Sequence, residues 1–186
     1  MILYIKNMVS LRCKMRVKDE LKNLGLGYSS IDLGVVQLSK RMTNDQRELL
    51  RKNLAKSGFE LLEDKKSILV EKVKNVIIEL VHYTDDIPKT NYSDYISSKV
   101  GYDYTYLSNL FSEIKGIDIQ HFIINHKIER VKELLQYKEL NLTEISYKLH
   151  YSSVSHLSNQ FKKVTGLSPS IYKHQCHKRG RMLENM

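Results

Sequence analysis

Leu107-Ser108-Asn109-Leu110-Phe111-Ser112-Glu113-Ile114-Lys115-Gly116 returns fifty residues later as Leu157-Ser158-Asn159-Gln160-Phe161-Lys162-Lys163-Val164-Thr165-Gly166, with five identities in register. Just upstream the offset falls to forty-nine, pairing Ile96, Ser97 and Val100 with Ile145, Ser146 and Leu149. Leu142–Gly166 therefore carries one more turn residue than Tyr92–Gly116, while the flanking segments keep their pattern. Such self-similarity marks one structural unit used twice. Apolar residues three and four apart predict a short helix, a tight turn and a second helix in each copy. In the first copy Ile96 and Val100 serve the first helix, and Leu107, Phe111 and Ile114 the second. Asn91 with Asp94, and Asn141 with Glu144, supply a side-chain acceptor for orphan backbone donors and an acidic residue near the positive helix end. Gly116 and Gly166 suit a left-handed stop.

Between the copies, Ile124, Ile128, Val131 and Leu135 form an apolar stripe behind a cap at Asp118, which predicts one connecting helix over Ile119–Tyr137, a strut between the two units. Ser168-Pro169 reads as a cap with proline at the first helical position, opening a brief helix to about His174. Residues 176–186 read as a frayed tail.

The N-terminal part follows different rules. Ile2–Lys6 is β-like, Cys13, Val17, Leu21 and Leu24 mark an amphipathic helix, and Tyr28–Leu33 with Val35–Leu38 reads as a hairpin around Gly34. Thr43 with Gln46 is a capping box for a helix carrying Leu50 and Leu54, followed by a strand at Phe59–Leu62. The order βαββαβ is that of a ferredoxin-like domain, two helices on one face of an antiparallel sheet. Leu69, Val73, Val76 and Leu80 predict a helix over about Lys65–Tyr83; its stripe suits burial against its own domain or a dimer seam. The expected class is thus an α+β ferredoxin-like domain over 1–63, a linker helix and loop over 64–90 with the boundary between 84 and 91, an all-α domain over 91–175, and the tail.

A formal net charge of +9 favours polyanionic partners, nucleic acid or an anionic surface. The most apolar stretch, Val76–Tyr83, is short and interrupted by Glu79 and His82, which predicts no membrane span. Met1–Val9 lacks the features of a secretory signal, and Cys13 and Cys176 suggest no disulfide framework, so the expected location is the cytoplasm. No phosphate-cradling glycine loop, metal-hydrolase spacing or nucleophile in a recognisable setting occurs, so no enzymatic activity and no cofactor are expected.

The run from Tyr147 through Leu149, His150, Tyr151, Leu157, Phe161, Gly166 and Ser168-Pro169 resembles the signature of the AraC/XylS regulators, whose DNA-binding domain holds two helix-turn-helix units joined by a long helix. The resemblance covers Tyr92–Lys173 and departs from the family at several positions. His150 replaces a usual turn glycine, Ser97 and Ser146 replace a small alanine, and Asn109 and Asn159 stand where arginine is frequent. The first 63 residues resemble the heavy-metal-associated fold, but its Met-x-Cys-x-x-Cys loop is here Met8-Val9-Ser10-Leu11-Arg12-Cys13. Soft metals want paired thiolates, so Cys13 is a weak candidate ligand and a structural thiol is the favoured reading. His174, Cys176 and His177 could be drawn as a second metal cluster, against which a basic tail is preferred.

The AraC/XylS resemblance implies a sequence-specific, double-stranded DNA-binding transcription regulator. Its recognition helices, about 103–115 and 153–165, would read adjacent major grooves about 10 base pairs apart. Helical geometry and the resemblance together point to Asp103, Thr105, Ser108 and Asn109 in the first unit and Val154, Ser155, His156, Ser158 and Asn159 in the second. Lys162 and Lys163 are phosphate candidates. Residues 142–181 hold Lys148, Lys162, Lys163, Lys173, Lys178, Arg179 and Arg181 against Glu144 alone, whereas 92–118 holds Lys99 and Lys115 against Asp94, Asp103, Glu113 and Asp118. The second unit is therefore expected to supply most salt-sensitive binding. RNA polymerase and a second copy of the chain are further candidate partners. The rival reading is a metal-handling or protein-interaction module with nonspecific DNA affinity.

Overall fold

The computed structural model describes residues 1–84, 91–137 and 140–175. The chain opens with β1 (Ile2–Lys6), α1 (Leu11–Asn23), β2 (Tyr28–Asp32), β3 (Val35–Leu38), α2 (Asn44–Lys56) and β4 (Glu60–Leu62). Then follow α3 (Lys65–Ile78), a π-helical turn (Glu79–Tyr83), α4 (Tyr92–Val100), α5 (Tyr104–Lys115), α6 (Ile119–Tyr137), α7 (Leu142–Lys148) and α8 (Val154–Thr165). Residues 169–175 are helical as well, with Ser168 Oγ accepting from Ile171 N at 3.3 Å. Contacts divide the chain into two compact units. One is built from Met1–Ile78 and the described residues of Pro88–Gly116, the other from the described residues of Glu79–Ile87 and Ile117–Met186.

In the first unit the strands form one antiparallel sheet in the order β2-β3-β1-β4. Alternation along β1 sends Leu3 and Ile5 into a core with Val36, Leu38 and Leu61, and Val17 and Leu21 of α1 and Leu50 and Leu54 of α2 complete it. Both helices start where side chains satisfy their orphan donors. Ser10 Oγ accepts from Cys13 N, and Thr43 and Gln46 close a reciprocal capping box at 3.2 and 3.0 Å. Gly34 turns the β2–β3 hairpin at φ +70°, and a Cβ there would lie 2.0 Å from Asn75 Nδ2 of α3. Only glycine lets α3 approach the hairpin this closely.

The helix expected to link two domains is instead a core element. α3 packs against α4 and α5 and buries Leu69, Val70, Val73, Ile77 and Ile78. Its apolar residues exceed one stripe, so a single partner could not cover them. Glu71, only 3% exposed, is held by Asn7 N at 3.1 Å and Lys74 Nζ at 2.9 Å. These two donors offset part of the cost of taking the side chain out of water. The expected boundary falls on residues 85–90 and the expected tail on 176–186, both outside the described residues.

In the second unit α6 forms over the expected residues, its start capped by Asp118 Oδ1, which accepts from His121 N at 2.7 Å. That bond holds the Asp118 carboxyl below the usual carboxylate range. Ile128, Val131 and Leu135 enter a core with Ile145, Leu149, Tyr151, Leu157 and Phe161; Ile124 packs at its edge.

Candidate nucleic-acid interface

Each copy of the repeat is a helix, a tight turn and a second helix. In the first, Asn91 Oδ1 accepts from Asp94 N at 2.9 Å, α4 runs to Val100, and Gly101 reverses the chain at φ +79°. Asp103 then caps α5, its Oδ1 accepting from Tyr106 N at 3.1 Å, and Gly116 stops it at φ +71°. In the second, Asn141 and Glu144 make a full capping box, Ser153 caps α8 by accepting from His156 N at 3.0 Å, and Gly166 stops it at φ +78°. α5 and α8 are both 12 residues long, as an insertion confined to the turn requires.

The turns differ as the offset implies. His150 occupies the left-handed region at φ +53°, where the first copy has Gly101. The extra residue is Tyr151, which donates from its N to Ser146 O at 2.9 Å and is buried, at 7% exposure, in the second core. An added loop residue would ordinarily be solvated. Here it is core, and Lys127 Nζ of α6 lies 5.0 Å from its ring centre. Burial pulls the Lys127 ammonium down to about 8.

Under both outer faces lies the expected core: Leu107, Phe111, Leu157 and Phe161 are at most 1% exposed. Ile114, expected to join them, is 40% exposed, because α5 meets its neighbours over a narrower arc than its apolar stripe. Thr105, Asn109, Ser155, His156, Asn159, Lys162 and Lys163 face solvent, and Ser108, Val154 and Ser158 are half-buried beside them. Asp103 is exposed, but its carboxylate is engaged as a cap. Lys162 and Lys163 sit in the last turn of α8, where they also complement the helix dipole.

Charge separates the copies further. Lys99 Nζ lies 5.5 Å from the Tyr95 ring centre. The Lys115 ammonium is depressed by burial and by nearby Lys74 and Lys6, with Glu71 and Glu60 opposing. Lys115 is half-buried, whereas Lys99, Lys162 and Lys163 are exposed. Lys178, Arg179 and Arg181 lie outside the described residues.

Sequence reasoning passed over two side-chain pairs on this surface. Tyr102 and Tyr106, 49% and 46% exposed, stack with ring centres 5.9 Å apart. At the matching positions, Ser152 Oγ and His156 Nδ1 are 3.0 Å apart, and the His156 ring also meets Tyr151 edge-on at 5.4 Å. The signal that could have found both pairs is the fifty-residue register itself, with members four residues apart.

Cys13 Sγ lies 3.3 Å from Ser10 Oγ, and the thiol packs partly on the sheet core. Among the described residues, no group of three or more His, Cys, Asp or Glu side chains is placed to hold a metal ion. No helix among them is long and apolar enough to cross a membrane.

A family model described as a helix-turn-helix domain matches residues 96–175. An uncharacterised HTH-type transcriptional regulator of Staphylococcus aureus is 29% identical over 109 residues, 58% of this chain and 14% of that protein. The uncharacterised HTH-type transcriptional regulator YtdP of Bacillus subtilis (strain 168) is 25% identical over 105 residues, 56% of this chain and 13% of that protein. The chain thus spans only 14% of the length of the first of these relatives. Among solved structures, the C-terminal domain of AraT, a response regulator from Geobacillus stearothermophilus, matches at 25% identity and a TM-score of 0.50, over 60% of this chain and 88% of that one. A DNA-binding transcriptional dual regulator from Escherichia coli K-12 matches at 15% identity and a TM-score of 0.51, over 59% and 93%, and shares the fold. Residues 96–175 of this chain are therefore similar to a helix-turn-helix domain. The family model does not reach residues before 96, so the heavy-metal-associated resemblance gains no support from it.

Proposed function

With that helix-turn-helix match as premise, we propose that the chain is a sequence-specific double-stranded DNA-binding transcription regulator acting in the cytoplasm, with 91–175 as its DNA-binding module and α5 and α8 as recognition helices. One observation carries the reading. Asn109 and Asn159 stand exposed in the same register of two equally long capped helices, directly over the buried Leu107–Phe111 and Leu157–Phe161 pairs. An asparagine amide in the major groove can donate to adenine N7 and accept from its N6 at once, which distinguishes A·T from the other pairs. Two such readers on one chain call for a site of two elements about 10 base pairs apart. The N-terminal sheet order β2-β3-β1-β4 with all neighbours antiparallel supports a ferredoxin-like domain beside this module, open to a signal, a second copy or RNA polymerase.

Selection of bound duplexes from a random pool by the full chain tests the proposal. One enriched site is expected, with Asn159→Ala costing about 1–3 kcal/mol and relaxing preference at one base pair. A uniform loss over all sequences would assign Asn159 to the phosphates. Neutralising Lys162 and Lys163 together should make the slope of log affinity against log salt shallower by about two, the value for two lost phosphate contacts. Equal affinity for the enriched site and bulk DNA would instead favour a polycationic module without regulatory specificity.

A further inference from the structure

The Tyr102–Tyr106 and Ser152–His156 pairs occupy equivalent places, bridging the turn to the first turn of the second helix. That is the part of a helix-turn-helix unit whose side chains approach base edges. In both copies the two members touch, by ring stacking in the first and by an imidazole–hydroxyl hydrogen bond in the second. The scaffold is thus the same and the chemistry opposite.

Two half-exposed phenol rings gain little from folding, since much of their apolar surface stays in water. Their surroundings also offer little to a phosphate. Asp103 lies between them in sequence, Lys99 rests over Tyr95, and Lys115 stands at the far end of α5 among the charges of α3 and the sheet. A flat, weakly charged aromatic surface on a major-groove helix has one apolar complement there, the 5-methyl group of thymine. We infer that Tyr102 and Tyr106 form a thymine-reading platform in the first unit. Their rings pack on thymine methyl groups, while His156, oriented by Ser152, makes polar contacts in the second. The inference rests on the proposed function and names how its first unit gains specificity without charge.

Deoxyuridine scanning tests it, because replacing thymine by uracil deletes only the methyl group. On the site selected by the full chain, each methyl under the first unit should cost about four-fold in affinity when removed. Tyr106→Ala should bind the thymine duplex several-fold more weakly and no longer distinguish thymine from uracil. Tyr106→Phe, which keeps the ring, should retain that discrimination. The salt slope should be the same for all three proteins, since no phosphate contact by a cation is removed. The inference is overturned if the unmutated chain ignores every thymine methyl, if Tyr106→Ala discriminates as well as the parent, or if its salt slope falls. The scan on the parent chain decides the matter even where a variant fails to fold. A chain that enriches no sequence at all would remove the proposed function together with this inference. An enriched site indifferent to its methyl groups would remove this inference alone.

Discussion

Tyr92–Gly116 and Leu142–Gly166 share a backbone plan, the buried Leu and Phe of their second helices and an exposed Asn, and differ in much of what surrounds these residues. Their second helices have the same length, the same style of side-chain cap and the same left-handed glycine stop. Their turns, the cores they join and their outer surfaces diverge: glycine against histidine plus a buried tyrosine, contact with α3 against contact with α6, stacked phenols against imidazole and lysines. Buried positions of a bihelical unit are constrained by packing, whereas exposed ones are free to change. The shared Leu and Phe therefore report the fold, whereas the exposed Asn109 and Asn159 and the unshared side chains around them bear on the task.

The comparison can be broken at three levels. Largest is the core. Phe111 and Phe161 are both fully buried, so Phe111→Ala and Phe161→Ala should each cost about 3–5 kcal/mol in denaturant unfolding of the full chain. A loss under 1 kcal/mol at either position would mean that the two copies are not packed alike.

Next comes Lys127, which underlies the second copy only. Its folded-state value of about 8 lies below the ordinary lysine value, so the unfolded chain holds more protons between those limits and stability rises as pH increases through that window. Between pH 7 and 9 the gain should be about 1 kcal/mol. Lys127→Met should abolish this dependence and stabilise the protein at pH 7 by on the order of 1–3 kcal/mol. Stability that stays flat from pH 7 to 9 in the parent would refute a depressed Lys127.

Smallest is the turn. Gly101 has open space around its Cβ position, so Gly101→Ala should cost only the left-handed backbone penalty, about 1–2 kcal/mol. His150→Gly should relieve the same kind of penalty and stabilise the second copy by about 1 kcal/mol. Equal signs for the two substitutions, read from unfolding midpoints, would show that the turns are not equivalent.

Much of the candidate site was legible before the structure. Asn109 and Asn159 could be placed on an exposed face because helical periodicity relates them to Leu107, Phe111, Leu157 and Phe161 within a single turn. The tyrosine pair was overlooked because stacking across a turn depends on the path of the backbone between Gly101 and Asp103, which periodicity does not describe. Asp103, expected at the groove, spends a carboxylate oxygen on the amide of Tyr106, as a residue just before a helix can.

The amino-acid order alone determined the repeat, and local interactions between partners within four residues explain the helix limits, the caps at Asn91, Asp118 and Asn141, and the glycine stops that it determined as well. Tertiary structure decided which apolar surface is covered. It turned α3 from a connector into a core helix, left Ile114 in solvent, drew the inserted Tyr151 inside, and enclosed Glu71 and Lys127. Burial depends on segments far away in the chain, and the same apolar side chain is core or surface according to whether such a segment arrives to displace water from it.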